Sequence, residues 1–108
     1  IERCLDAVRN QTYPETEIIV VDNGSSDGSK EIIRRACPDA VLIQNPTNLG
    51  FCVAYNQAIR ASGGPYVLVL NADVFLDPEF LAAAIPALAS SDTIGTVASG
   101  DRITRSPF

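Results

Sequence analysis

The chain has 108 residues, the length of one small domain, and its 46% hydrophobic and 19% charged residues are typical of a folded globular protein. The absence of His excludes catalytic triads and zinc sites that use His, and no apolar run reaches the roughly 18 residues that span a bilayer. Eight Lys and Arg against 13 Asp and Glu give a net charge of −5, which argues against nucleic-acid binding because that needs clustered cations.

The first part of the chain alternates patterns of helix and strand. Residues 1–10 carry apolar side chains at helical spacing. Residues 17–22 (EIIVVD) form an apolar run that predicts a strand buried on both faces. A turn at residues 24–28 (GSSDG) then leads into a second helix, for which Ser26 or Asp27 is the predicted N-cap.

The middle of the chain repeats this alternation. A short strand is predicted at residues 40–43, followed by a loop at residues 45–50 (NPTNLG). Helical spacing then resumes, and the face that carries Phe51, Tyr55 and Ile59 is predicted to pack in the core.

The last part of the chain begins with a second fully apolar strand, predicted at residues 66–70 (YVLVL). Residues 77–79 (DPE) are a strong helix start, with Asp as N-cap and Pro at the first helical position, and Pro86 should kink or interrupt that helix. A last strand is predicted at residues 93–98 and a loop over residues 101–108. Strands that alternate with helices predict an α/β domain with a mainly parallel sheet.

The three cysteines form no CxxC pair and are too few for a disulfide scaffold. We therefore expect Cys4, Cys37 and Cys52 to be small buried thiols in a reducing compartment.

Polar residues follow two of the predicted strands. Asp22 ends the first of them, and Asn71 and Asp73 follow the apolar run at 66–70. Ligands of open α/β sheets bind beyond the carboxyl ends of the strands, and both ends lie on one edge if the strands are parallel. Oxygen ligands there can contact a base or ribose, or hold Mg²⁺ or Mn²⁺ against a diphosphate. The alternative is that these residues only form turns, because Asp and Asn readily bond their own backbone.

Two loops that contain glycine are ambiguous when each is considered alone. The GSSDG loop at residues 24–28 is neither a Walker A loop nor the dinucleotide motif GxGxxG, so a plain helix-entry turn remains open. In the other loop, Asn48 is a candidate cap of the next helix and Gly50 a candidate for a positive φ.

Three motifs, in this order, resemble family 2 glycosyltransferases, which have the GT-A fold. The first is QTYP at residues 11–14 with EIIVVDNGSSDGS at 17–29, and the second is NLGF at 48–51. The third, LNAD at 70–73, lies where that family carries its DxD metal motif. The resemblance implies a Rossmann-like, three-layer α/β/α sandwich with a mainly parallel sheet, truncated at both ends. Residues 1–108 would then be a partial nucleotide-sugar-binding domain.

The resemblance also implies an activity: inverting transfer of a sugar from a nucleotide-diphosphate donor to a glycan, a lipid-linked glycan or another hydroxyl acceptor. Asp22 would contact the nucleotide base, and Asp73 would bind Mg²⁺ or Mn²⁺ or lie beside the ribose and diphosphate. The implied nucleotide-sugar-binding residues are Asp22, Asn23, Asn48, Gly50, Asn71 and Asp73. The implied setting is cell-wall or polysaccharide biosynthesis in the cytoplasm, or at the inner face of a membrane.

Asn71 departs from the family motif because it stands in place of the first acid. It keeps an oxygen acceptor but loses the charge, which lowers the expected affinity for a metal. An Asn here is similar to the rhamnosyltransferase-like branch, which points to dTDP-rhamnose as donor, with UDP-sugars as the alternative.

Two segments of the family fold have no counterpart in this sequence. The family's central opening strand would precede Ile1, so we expect the sheet either to rearrange or to pair with another copy through its exposed edges. The acceptor-binding half, which carries the general base, would follow residue 108. No residue of this chain is therefore assigned as the base, and the chain by itself is expected to be inactive.

Three other classes of protein are alternatives to this interpretation. A phosphorylated receiver domain needs a Lys on a late strand, and the single Lys30 lies in an early helix. A nicotinamide-dependent oxidoreductase needs the glycine motif that is missing here. A non-catalytic GT-A relative that serves as a binding module stays open because of Asn71.

Overall fold

The computed structural model describes residues 1–90, in which helices and strands alternate. The elements are α1 (Glu2–Arg9), β1 (Ile19–Asn23), α2 (Ser29–Ala36), β2 (Val41–Asn45), α3 (Phe51–Ala61) and α4 (Phe80–Ala89). β1 and β2 pair in parallel with α2 as the connection between them, which confirms the predicted α/β class. The strand and loop predicted at 93–98 and 101–108 lie outside the described residues.

The chain divides into two compact units. The sheet unit, Glu17–Val67, contains β1, α2, β2 and α3. The helical unit combines Arg3–Thr16, which includes most of α1, with the described residues from Leu68 to Ser90, which include α4.

β1 is less buried than its apolar sequence predicts. Ile19, Val20 and Val21 are half-buried, and Asp22 is the one buried residue of the strand. α3 packs against β1, and Ile33 of α2 is buried in the same unit. Within residues 1–90 the sheet has only these two strands, so each of them has one edge without a neighbouring strand. Because its three apolar residues are only half-buried, the prediction that β1 is buried on both faces is wrong for the described part of the chain.

The strand predicted at residues 66–70 is also wrong, since the described structure has no strand there. Tyr66, Val67 and Leu68 are 42–47% exposed. An apolar sequence becomes a strand only when a neighbouring strand accepts and donates its backbone hydrogen bonds, and no described residue does so for this segment. Pairing with another copy of the chain stays a prediction.

The start of α2 differs from the sequence prediction. Gly28 is the N-cap, with φ +81°, in place of Ser26 or Asp27. Asp27 instead accepts hydrogen bonds from the hydroxyl and the N–H of Ser29, and these bonds lower the pKa of the Asp27 carboxyl below its ordinary value of 3.8. The carboxylate therefore closes a turn that ends at Ser29, the first residue of the helix.

The α4 helix also begins later than predicted. Asp77 accepts a hydrogen bond from the N–H of Glu79 at 2.9 Å, which makes a turn, and the helix starts at Phe80. Pro86 lies inside the helix without ending it, contrary to the predicted interruption. It is exposed, so its ring projects from the helix surface.

Two expectations of burial in α3 are wrong. Phe51 is 68% exposed and Ile59 40% exposed, while Ala54 is the buried residue of this helix. The ring of Phe51 instead lies 6.0 Å from that of Tyr55. Cys52 is exposed, whereas Cys4 and Cys37 are buried as predicted, and all three thiols are free.

Gln11 ties the two parts of the helical unit together. Its Nε2 donates to the carbonyl oxygens of Ala7, in α1, at 3.2 Å and of Asp77 at 2.7 Å. Its Oε1 accepts from the N–H of Leu81, in the first turn of α4, at 3.0 Å. The side chain is only 9% exposed, so it takes the place of water for backbone groups at the start of α4.

We expect Gln11→Leu to lower the free energy of unfolding by about 1–3 kcal/mol, because it leaves the Leu81 N–H without its acceptor and removes one of the two donors to the Asp77 carbonyl oxygen. Urea unfolding followed by circular dichroism measures this. Thr12→Val is the control, since it changes an exposed side chain and keeps the bond from the Thr12 N–H to Pro78 O. Equal stability of the two variants would show that water replaces the glutamine.

Candidate functional site

Two loops meet beyond the carboxyl ends of β1 and β2. The parallel register places Asn23, the last residue of β1, opposite Asn45, the last residue of β2. The first loop, residues 24–28, leads into α2, and the second, residues 46–50, leads into α3. This edge is where ligands of open parallel sheets bind.

The amide of Asn23 makes four hydrogen bonds, three to the second loop and one to the end of β2. Its Oδ1 accepts from the N–H of Leu49 at 3.0 Å and from Nδ2 of Asn45 at 3.1 Å. Its Nδ2 donates to Oδ1 of Asn48 at 2.9 Å and to the carbonyl oxygen of Gly50 at 3.2 Å. One side chain at the end of β1 therefore organises the loop that follows β2.

Asn45 extends this arrangement into α3. It is 8% exposed and exchanges two hydrogen bonds with Gln57: its Nδ2 donates to Oε1 at 2.8 Å, and its Oδ1 accepts from Nε2 at 2.9 Å. Neither residue is a candidate from the sequence. The signal that could have indicated Asn45 is that each of the two strands ends in an Asn, since a parallel register places these two residues side by side.

Gly24 allows the two loops to approach at the level of the backbone. A Cβ at this position would lie 2.6 Å from the carbonyl carbon of Thr47 and 2.8 Å from the nitrogen of Asn48. Its φ of +84° also lies in the region that favours glycine. Gly50 has the predicted positive φ and is itself the N-cap of α3, so the prediction of Asn48 as the cap is wrong. Asn48 Oδ1 instead accepts from the Gly50 N–H at 2.9 Å.

Asp22 closes the turn after β1. It is 6% exposed, and its Oδ1 accepts hydrogen bonds from the Ser25 hydroxyl and, at 3.0 Å, from the Ser25 N–H. This is the turn that the sequence analysis kept as the alternative to a nucleotide contact. A carboxylate has about four acceptor sites, so the turn does not use all of its capacity. Contact of Asp22 with a nucleotide base stays a prediction.

The other motif residues belong to the helical unit. Asn71 and Asp73 are exposed, while Val74 and Leu76 are 2% and 5% exposed and anchor the segment that carries them. The Cys4 thiol donates to the carbonyl oxygen of Asn71 at 3.7 Å. Burial raises the pKa of this thiol, and the charge of Asp73 acts in the same direction, so Cys4 stays a neutral packing residue.

Few of the described side chains could serve as ligands of a divalent metal. Within residues 1–90, no group of three or more Asp, Glu or Cys side chains is close enough to hold a metal ion. Mg²⁺ usually binds one or two protein carboxylates and completes its coordination with phosphate oxygens and water. Asp73 as a carboxylate and Asn71 as an amide therefore fit a metal that arrives with a diphosphate. They do not form an all-protein cage.

The family model described as Glycosyl transferase family 2 matches residues 1–108. The chain belongs to glycosyl transferase family 2. This membership agrees with the order of motifs along the chain, and a truncated GT-A fragment accounts for the helices and the parallel pair of strands.

Curated relatives of this family 2 chain are considerably longer than it is. Glycosyltransferase AglE of Haloferax volcanii is 33% identical over 102 residues, which cover 88% of the chain and 34% of the relative. Poly-β-1,6-N-acetyl-D-glucosamine synthase of Staphylococcus epidermidis is 30% identical over 105 residues, which cover 95% of the chain and 26% of the relative. Chondroitin synthase of Pasteurella multocida is 28% identical over 104 residues, which cover 94% of the chain and 11% of the relative. The chain therefore spans about a third or less of the length of these relatives.

The structure joins some of the expected binding residues of this family 2 chain directly. Asn23, Asn48 and Gly50 are hydrogen-bonded to one another, with Asp22 adjacent in β1. Asn71 and Asp73 lie in the helical unit, and their approach to Asp22 stays a prediction. None of the described helices has the length and apolar character needed to cross a membrane.

Proposed function

We propose that the complete protein that contains this chain transfers a sugar, with inversion, from a nucleotide-diphosphate donor to a hydroxyl of a glycan or lipid-linked acceptor. The observation that carries the proposal is the pair of loops joined beyond β1 and β2, since parallel sheets bind ligands at this edge. Membership of family 2 supports it, as do relatives named as a chondroitin synthase and a poly-β-1,6-N-acetyl-D-glucosamine synthase.

In this proposal the chain binds and orients the donor. Asp22 accepts a hydrogen bond from the base, and the loops after β1 and β2 enclose the nucleotide. Asp73, with Asn71, holds Mg²⁺ or Mn²⁺ on the diphosphate; when bound, the metal stabilises the charge of the leaving group. The general base for the acceptor hydroxyl is assigned to the complete protein outside residues 1–108.

The proposed donor is dTDP-rhamnose, with UDP-sugars as the alternative. Asn71 supports the first choice, because it stands where a charged metal ligand is usual in the family and is similar to the rhamnosyltransferase-like branch. The proposed location is the cytoplasm, or the inner face of a membrane, and three free cysteines are consistent with a reducing compartment.

The test is the thermal stability of the complete protein with UDP, dTDP and GDP compounds, each with and without Mn²⁺. A ligand at 100 times its Kd adds about 2.7 kcal/mol, a readily measured shift. We expect one pyrimidine nucleotide to stabilise the protein, and to do so more strongly with Mn²⁺. If no nucleotide shifts the melting temperature, the non-catalytic binding module becomes the better interpretation.

A further inference from the structure

We infer that Asn23, Asn45 and Gln57 form an amide relay that fixes the backbone of residues 47–50 for donor binding, and that Asn45 and Gln57 act in it only as positioning residues. The inference rests on the proposed function, and it assigns a positioning role to Asn23, which the sequence analysis counted among the binding residues. Asn45 and Gln57 are new to the site.

The positions of oxygen and nitrogen in each amide of the relay are fixed, because Asn23 bonds a backbone N–H, which can only donate, and a backbone carbonyl, which can only accept. The Leu49 N–H only donates, so the Asn23 oxygen must face it. The Gly50 carbonyl only accepts, so the Asn23 nitrogen must face it. The backbone of the loop therefore settles which way the Asn23 amide lies.

The orientation of Asn23 determines the orientation of Asn45. The Asn23 oxygen accepts a second hydrogen bond, so Asn45 must turn its nitrogen toward it, at 3.1 Å. The Asn45 nitrogen then gives its other hydrogen to Gln57 Oε1, and the Asn45 oxygen accepts from Gln57 Nε2. This reciprocal pair anchors the end of β2 to α3.

The hydrogen-bonding capacity of Asn23 is fully used inside the protein. An amide oxygen accepts about two hydrogen bonds and an amide nitrogen donates two, and Asn23 makes all four. Three of these bonds end on the second loop and one on Asn45, so the side chain couples the loop to the end of β2.

The loop depends on side-chain support because it has no regular secondary structure. Residues 47–50 are exposed and lie outside the regular elements. Gly50 has φ +84° and ψ 154°, a conformation open essentially to glycine alone. Preorganising a binding loop lowers the ordering cost paid when the ligand binds. Loss of the relay should therefore weaken donor binding without removing a ligand contact.

Asn45→Asp in the complete protein tests the relay. The change is nearly isosteric, but it replaces both Nδ2 hydrogens, which bond Asn23 and Gln57, by an acceptor oxygen. Gln44→Glu is the matched control, since it adds the same charge at the preceding, exposed position of β2. Gln57→Leu is a second variant, which removes the anchor in α3 and leaves the Asn23 side chain unchanged. It keeps the test valid if Asn45→Asp fails to fold.

The measurements are calorimetric Kd values for UDP and dTDP with Mn²⁺, and hydrogen exchange of the Leu49 amide without nucleotide. For Asn45→Asp we expect Kd to rise about tenfold and exchange at Leu49 to accelerate, with smaller changes of the same sign in Gln57→Leu. The sugar-transfer rate at saturating donor should stay within about threefold of wild type, because no reacting atom is touched. Gln44→Glu should match wild type.

If wild type binds a nucleotide and both relay variants bind it with unchanged Kd, the relay inference is overturned and the proposed function stands. If Leu49 exchanges faster while Kd stays the same, the relay holds the loop but has no role in donor binding, and the inference fails equally. If wild type binds neither nucleotide, the inference and the proposed function are both overturned.

Discussion

Asp73→Ala in the complete protein is expected to lower kcat by about tenfold or more, because it removes the only carboxylate of the motif at residues 71–73. The side chain is exposed while Val74 and Leu76 anchor the segment, so truncation should not disturb packing. Steady-state transfer with the donor identified from the nucleotide panel, over a series of Mn²⁺ concentrations, measures the effect. The dependence on Mn²⁺ should weaken together with kcat.

Asp6→Ala is the control for Asp73→Ala, because it removes an exposed carboxylate from the same helical unit. Asp22→Ala provides a contrast, since loss of a contact made equally in ground and transition states raises the donor KM and leaves kcat nearly unchanged. An Asp73→Ala enzyme with wild-type kcat and wild-type response to Mn²⁺ would mean that the metal is held elsewhere.

Gly24→Ala is expected to cause the largest loss of stability among the glycine changes in the sheet unit. A non-glycine residue at φ +84° costs about 1–2 kcal/mol. The new Cβ would also lie 2.6 Å from the Thr47 carbonyl carbon, which is backbone and cannot turn aside. Together these terms predict a loss of about 2–4 kcal/mol.

Gly28→Ala separates the two causes of the Gly24 effect. It has nearly the same φ, +81°, but a Cβ there would meet only Glu31 Oε2 at 3.9 Å. Its expected loss is therefore the conformational cost alone, about 1–2 kcal/mol. Urea unfolding of both variants gives the difference, and equal losses would show that the second loop moves away from Gly24 at no cost.

The sequence predicts best those elements that depend on local patterns. α1, α2 and α3 follow from apolar spacing, and β1 and β2 from short apolar runs; the predicted ranges of α1, β1 and β2 lie within a few residues of the observed ones. The boundaries were missed where side chains bond locally: Asp27 and Asp77 each close a turn ahead of a helix instead of capping it.

Features that depend on distant residues could not be predicted in the same way. The apolar run at 66–70 has the composition of a strand, but a strand exists only with a partner, which sequence composition does not supply. The wrong prediction of burial in α3 has the same cause, since periodicity identifies an apolar face of a helix but not whether another part of the protein covers it.

In the candidate site, too, features set by local sequence could be predicted and features set by distant residues could not. Asp22, Asn48 and Gly50 could be located from turn chemistry and strand ends. The bond between Asn45 and Gln57 depends on the crossing of β2 and α3, and the tight approach at Gly24 depends on the path of the second loop. Both depend on tertiary geometry, so both were missed.

The relay at the end of β1 and β2 consists entirely of neutral groups. Asn23, Asn45 and Gln57 neither gain nor lose a proton over the pH range in which proteins stay folded, and their bonds involve no net charge for dissolved ions to screen. The hydrogen bonds of the relay are therefore insensitive to acidity and ionic strength. A response of donor binding to pH or salt would have to arise from groups other than these three amides.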